Sequence, residues 1–203
     1  MKPLRQVVLA SNNAGKLREF AQMLAKVDIE VLPQAHFNIP EAEEPHVTFV
    51  ENALAKARHA AKLTGLPALA DDSGICVKAL GGAPGVFSAR FAAMGTNEPK
   101  SDDRNNQKLI ADLQGHADRR AHYVAVLVFV HHADDPQPII CEGEWHGEII
   151  DTPRGANGFG YDPYFLVPDL NQTAAEIAAE EKNKRSHRGK ALVQLMERLK
   201  LDV

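Results

Sequence analysis

Short apolar runs alternate with segments of helical periodicity along the whole chain. Val7–Ala10 is an apolar run followed by a polar turn, and the residues after that turn recur at helical spacing. The recurring positions are Leu17, Phe20, Ala21 and Leu24. The pattern predicts a strand, a tight turn and a helix.

A second strand is predicted at Ile29–Leu32, and the segment from Pro33 to Pro45, rich in proline and glutamate, is predicted to be a loop. Thr48 and Glu51 have the spacing of a capping box, which predicts a helix that ends near Gly65. The buried face of this helix is expected to carry Val50, Ala53, Leu54, Ala57 and Ala61.

Two further apolar segments, Leu66–Ala70 and Ile75–Leu80, are predicted to be strands. The acidic sequence Asp71-Asp72-Ser73-Gly74 lies between them and is interpreted as the end of the first strand. A loop, Gly81–Gly85, follows the second. A polar tract then leads to a helix predicted around Gln107–Leu113.

The carboxyl-terminal half begins with a predicted pair of strands, His122–Val130 and Ile139–Ile150. A glycine-rich loop, Gly155–Gly160, follows. Thr173–Glu176 is predicted to open a short helix, and Lys182–Lys190 is interpreted as a basic turn. An amphipathic helix after that turn carries Leu192, Leu195, Met196 and Leu199.

Strands and helices are interleaved with no linker, repeat or change of composition. This order favours an α/β fold with a mixed sheet, and we expect residues 1–203 to form one domain.

Composition and charge exclude several classes of protein. Of the 203 residues, 44% are hydrophobic and 25% are charged, which is typical of a globular protein. The net charge of −4 disfavours a general nucleic-acid binder, so we expect no nucleic-acid partner. The longest apolar run, Val124–Val130, is far shorter than the roughly 20 residues that span a bilayer. We therefore expect no membrane partner.

The cysteines and the first apolar run indicate the cellular compartment of the protein. Cys76 and Cys141 lack C-x-x-C spacing, which fits a reducing compartment better than a secreted scaffold. Val7–Ala10 is shorter than the apolar region of a signal peptide. We expect a cytoplasmic protein.

The first candidate site is the turn between the first strand and the first helix. It reads Ser11, Asn12, Asn13, Ala14, Gly15 and Lys16. Free backbone N–H groups at a helix start, together with a lysine, can hold a phosphate. Leu17 stands where a Walker A loop has serine or threonine. The alternative is an ordinary helix N-cap.

The second candidate is the acidic pair Asp71-Asp72. Mg²⁺ binds one or two carboxylates and takes its other ligands from water and substrate phosphates. The glutamates of the preceding loop, Glu41, Glu43 and Glu44, can supply another carboxylate. The apolar approach to the pair predicts partial burial, which requires a positive partner such as Lys56 or a metal. A solvated acidic turn is the alternative.

The third and fourth candidates are the Gly158–Pro163 loop and the basic run Glu181–Arg188. Glycines let the backbone approach a ligand closely, and aromatic side chains offer faces on which a base can stack. The basic run is a concentrated source of hydrogen-bond donors. The alternatives are a turn with core aromatics and a solvated charged face.

Six motifs in collinear order resemble the inosine triphosphate pyrophosphatase family, in its bacterial type. They are Ser11–Lys16, Thr48–Ala57, Ala70–Gly74, Leu80–Gly85 with Ser88–Arg90, Gly158–Pro163 and Ser186–Ala191. The resemblance spans nearly the whole chain. It implies a two-lobed domain of the ITPase and Maf type, with a twisted mixed sheet flanked by helices and the nucleotide in the groove between the lobes.

The resemblance also implies a reaction and a set of roles. The reaction is Mg²⁺-dependent hydrolysis of dITP, ITP and XTP to the nucleoside monophosphate and pyrophosphate by a homodimer. Ser11–Lys16 and Lys56 would face the triphosphate, and Asp72 would bind Mg²⁺ and activate water. Glu43 or Glu44 would complete the metal site. Ser73 would also contact the substrate. The residues around the base would be Phe159, Gly160, Tyr161, Asp162, Lys182, His187 and Arg188.

Two other functions are compatible with the same motifs. One is a pyrophosphatase for other modified nucleotides, as in the Maf-like family. The other is a nucleotide-sensing module without turnover, which the presence of Asp72, Lys56 and the glutamate pair disfavours. The ranking of dITP, ITP and XTP stays open.

Overall fold

The computed structural model describes residues 5–201. Its strands are β1 Gln6–Leu9, β2 Glu30–Pro33, β3 Ala68–Val77, β4 Arg120–Val130, β5 Ile139–Ile149, β6 Phe165–Val167 and β7 Gln172–Thr173. Its α-helices are α1 Ala14–Leu24, α2 Phe49–Thr64, α3 Asp102–Asp112, α4 Ala179–Arg185 and α5 His187–Leu201. Short 3-10 turns occur at Ala25–Val27, Gln34–Phe37, Lys78–Leu80, Gly85–Ala93 and Asp162–Tyr164.

The strands form one seven-stranded mixed sheet in the order β2-β1-β3-β4-β5-β6-β7. β1 is parallel to both of its neighbours: Val8 lies opposite Leu32 in β2 and opposite Ala68 in β3. β6 is antiparallel to β5 and to β7. The predicted α/β class with a mixed sheet is confirmed.

The chain divides into two compact units. Unit 1 comprises the described residues up to Asp72, Ala125–Glu142 and the described residues from Lys190 onward. Its core is formed by buried side chains of β1, α1, β4 and α5, among them Leu9, Phe20, Leu24, Leu127, Phe129 and Leu195.

Unit 2 comprises Ser73–Val124 and Gly143–Gly189. Its core is richer in aromatic residues and includes Ile75, Leu109, Tyr123, Trp145, Tyr161 and Phe165. None of the described helices is long and apolar enough to span a bilayer.

The acidic sequence lies within a strand, so the prediction that it ends one is wrong. β3 runs without a break from Ala68 to Val77 and contains Asp71 and Asp72, both of which are buried. The solvated acidic turn is excluded by this burial. A strand can continue through buried carboxylates because lysines from other elements pair with them.

The basic segment is not a turn. α4 ends at Arg185, Ser186 is extended, and α5 begins at His187. The Ser186 Oγ accepts a hydrogen bond from the Gly189 backbone N–H at 3.1 Å. Ser186 therefore caps α5, and the segment is two helices separated by one residue.

Two predicted helix starts are also wrong. α3 begins at Asp102, five residues before Gln107, because the Ser101 side chain accepts a hydrogen bond from the Arg104 backbone N–H. The Thr173 backbone N–H donates to Glu176 Oε2 at 2.7 Å and closes a turn after β7, so α4 begins only at Ala179.

The predicted buried face of α2 needs one correction. Val50 is 37% exposed, whereas Asn52 is only 1% exposed. The polar Asn52 is buried because its amide finds hydrogen-bond partners in the interior, as described below.

Candidate active site

α2 carries two polar side chains on one flank and is capped at both ends. The Thr48 side chain accepts a hydrogen bond from the Glu51 backbone N–H, as the capping box predicts, and Gly65 ends the helix in the left-handed region at φ 68°. Asn52 and Lys56 are four residues apart, so they lie on neighbouring turns of the same flank. The caps fix where this flank begins and ends.

Lys56 lies at the centre of a partly buried group that we name the carboxylate–lysine cluster: Glu44, Asn52, Lys56 and Asp72. The Lys56 Nζ is 2.8 Å from Asp72 Oδ1 and 2.8 Å from Glu44 Oε1. It also donates to the Asp71 backbone carbonyl at 3.0 Å. One ammonium thus holds two carboxylates from different segments of unit 1.

Asn52 joins this cluster to the acidic loop, and sequence reasoning did not assign it to the site. Its Nδ2 donates to the His46 carbonyl at 3.1 Å and to Asp72 Oδ2 at 3.4 Å. Its Oδ1 accepts the His46 backbone N–H at 3.1 Å. The spacing of four residues from Lys56 was the available signal for its position.

Burial and charge set the ionisation of this cluster. Burial raises the pKa of Asp72 above its ordinary value; Lys56 opposes the shift, and Glu44 and Asp71 add to it. Burial alone would lower the pKa of Lys56, but the charges of Asp72 and Glu44 outweigh it and raise that pKa. Lys56 is therefore firmly cationic, while Asp72 is a stronger base than an exposed aspartate.

The turn before α1 adopts the ordinary capping geometry that its sequence also allows. Asn13 is the N-cap and accepts the Lys16 backbone N–H at 3.0 Å, and its own N–H donates to Ser11 Oγ at 3.2 Å. Ala14 and Gly15 open the helix. Asn12 Nδ2 donates to Glu41 Oε1 at 2.8 Å.

Lys16 gives this turn a fixed charge. Its Nζ lies 2.9 Å from Asp71 Oδ2, and the Asp71 side chain is fully buried. The predicted positive partner of the acidic pair is therefore two lysines, Lys16 for Asp71 and Lys56 for Asp72. Phosphate binding by the turn stays a prediction.

The two candidate glutamates differ in position. Glu44 belongs to the carboxylate–lysine cluster and its side chain is 30% exposed, whereas Glu43 is an exposed residue of the loop. Among the described residues, no three His, Cys, Asp or Glu side chains are arranged as a metal cage.

The donor set nevertheless fits Mg²⁺. Asp72 and Glu44 converge on one ammonium and carry two negative charges against its one positive charge. Mg²⁺ is commonly held by one or two carboxylates, with water and substrate phosphates as the remaining ligands. Asp72 and Glu44 are the residues that would hold it.

A second group of residues meets within unit 2, around the buried Asp162, and all of them but Tyr123 were predicted from the sequence. We name it the Asp162 cluster: Tyr123, Phe159, Asp162, Lys182 and His187. Asp162 Oδ2 accepts the Phe159 backbone N–H at 3.0 Å and is paired with the Lys182 ammonium. Asp162 Oδ1 accepts the Tyr123 hydroxyl at 3.3 Å.

Gly158 is needed for this arrangement. Its φ is +80°, and a Cβ placed on it would lie 2.1 Å from Asp162 Oδ2 and 3.1 Å from Lys182 Nζ. The buried ion pair therefore packs directly against the glycine backbone, which a side chain would displace.

The first turns of α3 also hold the loop that contains Gly158. The Gly160 backbone N–H donates to Asp102 Oδ2 at 2.8 Å, and Asn106 Nδ2 donates to the Gly160 carbonyl at 3.0 Å. Sequence reasoning missed both contacts, because the polar tract before the predicted helix gave no indication of its partner. The Tyr161 hydroxyl donates to the Ser88 carbonyl at 2.8 Å.

Phe159 presents an exposed aromatic face on this anchored loop. Half of the residue is exposed, and the Lys182 Nζ lies 5.6 Å from its ring centroid. An exposed ring on a loop that the neighbouring helix fixes is a preformed surface on which a flat base can stack.

The first turn of α5 supplies His187 and Arg188, both buried. The His187 ring stacks on Tyr123, with centroids 4.8 Å apart and planes at 10°. Arg188 Nη2 donates to Ser73 Oγ at 3.3 Å. The predicted residues around the base all belong to unit 2, and so does Ser73, which was predicted to contact the substrate.

The fold and the site together define a class of protein. It is an α/β protein in which a lysine, Lys56, lies between two carboxylates. A separate loop, which depends on Gly158, carries an aromatic side chain and belongs to the same unit as the basic start of α5. A family model described as the Ham1 family matches residues 7–198. The chain belongs to this family, and the resemblance drawn from the motifs is confirmed.

Close relatives cover the chain almost completely. A protein named dITP/XTP pyrophosphatase from Ralstonia nicotianae is 66% identical over 198 residues, covering 98% of this chain and 98% of that protein. One of the same name from Neisseria meningitidis serogroup B is 61% identical over 196 residues, covering 97% of each.

Solved structures of Ham1 proteins are similar to the structure of this chain. A HAM1 protein from Coxiella burnetii superposes with a TM-score of 0.91 at 50% identity, covering 98% of this chain and all of that one. The Ham1 protein of Staphylococcus aureus gives a TM-score of 0.87 at 39% identity, with the same coverage.

Proposed function

We propose that this protein hydrolyses dITP, ITP and XTP to the nucleoside monophosphate and pyrophosphate, with Mg²⁺. The observation that carries the proposal is Asp72, a buried carboxylate of raised pKa held by Lys56 beside Glu44. The names of the relatives at 59–66% identity support the same substrate class.

Hydrolysis adds water across the anhydride between the α and β phosphorus atoms. The Asp72 carboxylate accepts a proton from water, the water oxygen bonds to phosphorus, and the bridging P–O bond breaks. Asp72 and Glu44 would hold Mg²⁺, which would supply charge neutralisation at the phosphate oxygens. Raising the pKa of Asp72 makes it a better proton acceptor at neutral pH.

Lysines provide the other positive charges on the polyphosphate. Lys56 orients Asp72, and we assign the turn Ser11–Lys16 to the phosphates because it combines a helix N-terminus with an ammonium. Phosphoryl transfer depends mainly on positioning and on electrostatic stabilisation, so no covalent protein nucleophile is required.

The Asp162 cluster, with Arg188 and Ser73, is assigned to the base. Hypoxanthine and xanthine carry an acceptor oxygen at position 6, where adenine carries a donor amine. Donors from Lys182, Arg188 or loop backbone N–H groups pair with the oxygen of hypoxanthine or xanthine. With adenine, the same donors face the amine, which is also a donor, so they have no acceptor. A dry site built around such hydrogen bonds can reject the wrong base by roughly 10⁴-fold.

We also propose that the protein acts as a cytoplasmic homodimer on free nucleotides and binds no nucleic acid. The net charge of −4 disfavours polyanion binding, and the two cysteines are free thiols. The homodimer rests on the resemblance to the family and is tested by sedimentation equilibrium of the purified protein.

The experiment that tests the activity is a turnover panel of dITP, ITP, XTP, GTP and ATP with and without Mg²⁺, with pyrophosphate and phosphate measured separately. We expect pyrophosphate from the first three, only with Mg²⁺. Orthophosphate as the product, or a preference for modified pyrimidine nucleotides, would contradict the proposal. Binding without turnover would indicate a nucleotide sensor.

A further inference from the structure

Tyr123 carries a buried hydroxyl in β4, directly before the apolar run Val124–Val130. The strand runs from Arg120 to Val130, and Tyr123 is 8% exposed. A buried tyrosine hydroxyl requires a hydrogen-bond partner, and here that partner is Asp162 Oδ1 at 3.3 Å. A phenylalanine would fill the same core position without this contact.

The ring of Tyr123 makes a second contact with the site. It stacks almost parallel on His187, with centroids 4.8 Å apart, and it packs against Phe165 at 4.7 Å on the core side. One side chain therefore contacts both the carboxylate that holds Lys182 and the histidine that opens α5.

We propose that Tyr123 is a positioning residue that sets base selectivity by occupying Asp162 Oδ1 and aligning His187. The inference rests on the proposed function and deepens it, because it names a residue that excludes bases carrying an exocyclic amine.

The exclusion follows from the hydrogen-bonding capacity of Asp162. Its carboxylate accepts from Phe159 N–H and Lys182 at Oδ2 and from Tyr123 at Oδ1. Adenine and guanine carry amine donors, at positions 6 and 2, that hypoxanthine lacks. While the hydroxyl occupies Oδ1, an amine has to compete with a protein donor for this carboxylate. Without the hydroxyl, Oδ1 gains room for a donor from the base.

The hydroxyl stays protonated at neutral pH. Burial raises the pKa of Tyr123 well above its ordinary value, and the neighbouring Asp162 adds to this shift. Tyr123 therefore donates constantly, and the selectivity it gives does not vary with pH through its own titration.

The test is Tyr123→Phe, which keeps the ring stacked on His187 and removes only the hydroxyl. We expect the ITP:GTP and ITP:ATP ratios of kcat/KM to fall about tenfold, the size expected for one hydrogen bond to a charged group. Tyr164→Phe, a half-buried tyrosine of the same unit, is the matched control and should leave both ratios unchanged.

Two results with Tyr123→Phe would overturn the inference and leave Tyr123 as a core residue. One is unchanged ITP:GTP and ITP:ATP ratios of kcat/KM. The other is an equal loss of kcat/KM on all three nucleotides together with a lower melting temperature. A wild-type enzyme that does not prefer ITP would instead overturn the proposed function. Tyr123→Leu adds a second readout: loss of the ring should raise KM for ITP more than it lowers kcat.

Discussion

Lys56 Nζ lies 2.8 Å from Asp72 Oδ1, and the carboxyl group it holds has a raised pKa. A general base must be deprotonated to act. Because the pKa of Asp72 is raised, activity should be lost at a higher pH, as the pH falls, than it would be with an aspartate of ordinary pKa. Lys56 limits this rise in the pKa of Asp72.

Lys56→Gln should therefore move the acid limb of the kcat/KM profile for ITP further upward, in addition to lowering the rate. Lys16→Gln is the matched control, because Lys16 pairs with Asp71 and should lower the rate without an equal displacement of the limb. The profile is measured from pH 4 to 9 with one substrate, so that substrate titration is common to all variants. An acid limb that stays in place in Lys56→Gln would contradict Asp72 as the base.

Asn52→Ala should destabilise the protein and lower kcat. It removes both hydrogen bonds to the His46 backbone and the contact with Asp72. We expect a loss of about 1–3 kcal/mol in the free energy of unfolding, because buried polar groups lose their partners. Urea unfolding measures this loss, and the exposed Asn97→Ala should change stability by less than about 0.5 kcal/mol. Equal stabilities of the two variants would show that the buried contacts contribute nothing.

Gly158→Ala should impair turnover far more than Gly95→Ala. Both glycines have positive φ, so both variants carry the same kind of backbone strain, but only a Cβ at Gly158 would collide with Asp162. The collision displaces the Asp162–Lys182 pair, so KM for ITP should rise at least about tenfold, the effect of losing one charged hydrogen bond. Steady-state kinetics of both variants decide the matter. Equal effects would mean that backbone strain alone is responsible.

Arg188→Ala should lower ITP turnover and narrow the gap between ITP and ATP. Arg188 is buried and bonded to Ser73, beside the Asp162 cluster in the same unit. Arg185→Ala removes a neighbouring arginine that pairs with Asp169 and Glu181 and should leave the ITP:ATP ratio intact. Equal losses on ITP and ATP in Arg188→Ala would assign Arg188 to the phosphates.

Local signals in the sequence predicted the elements that depend on local chemistry. The capping box at Thr48, the period of α1 and the apolar run of β1 all lie where the patterns place them. Lys56 was expected to meet the acidic pair because a buried carboxylate needs a positive partner, and the structure places it on Asp72.

Elements that depend on distant partners could not be predicted. β3 continues through Asp71 and Asp72 because Lys16 and Lys56 come from other segments, and no local pattern shows that pairing. Asp102 belongs to a polar tract and Tyr123 to an apolar strand, and neither position stands out in its segment. Only the folded chain brings them to the Gly158–Asp162 loop.

The most direct measurement of the central claim is the rate of pyrophosphate release from ITP by Asp72→Asn. This variant keeps the size of the side chain and removes the proton acceptor. We expect the rate to fall by about 10²–10⁴-fold, the usual contribution of a general base, while the thermal melting curve stays that of a folded protein and ITP still binds. A folded Asp72→Asn enzyme that retains most of the wild-type rate would show that another group activates the water.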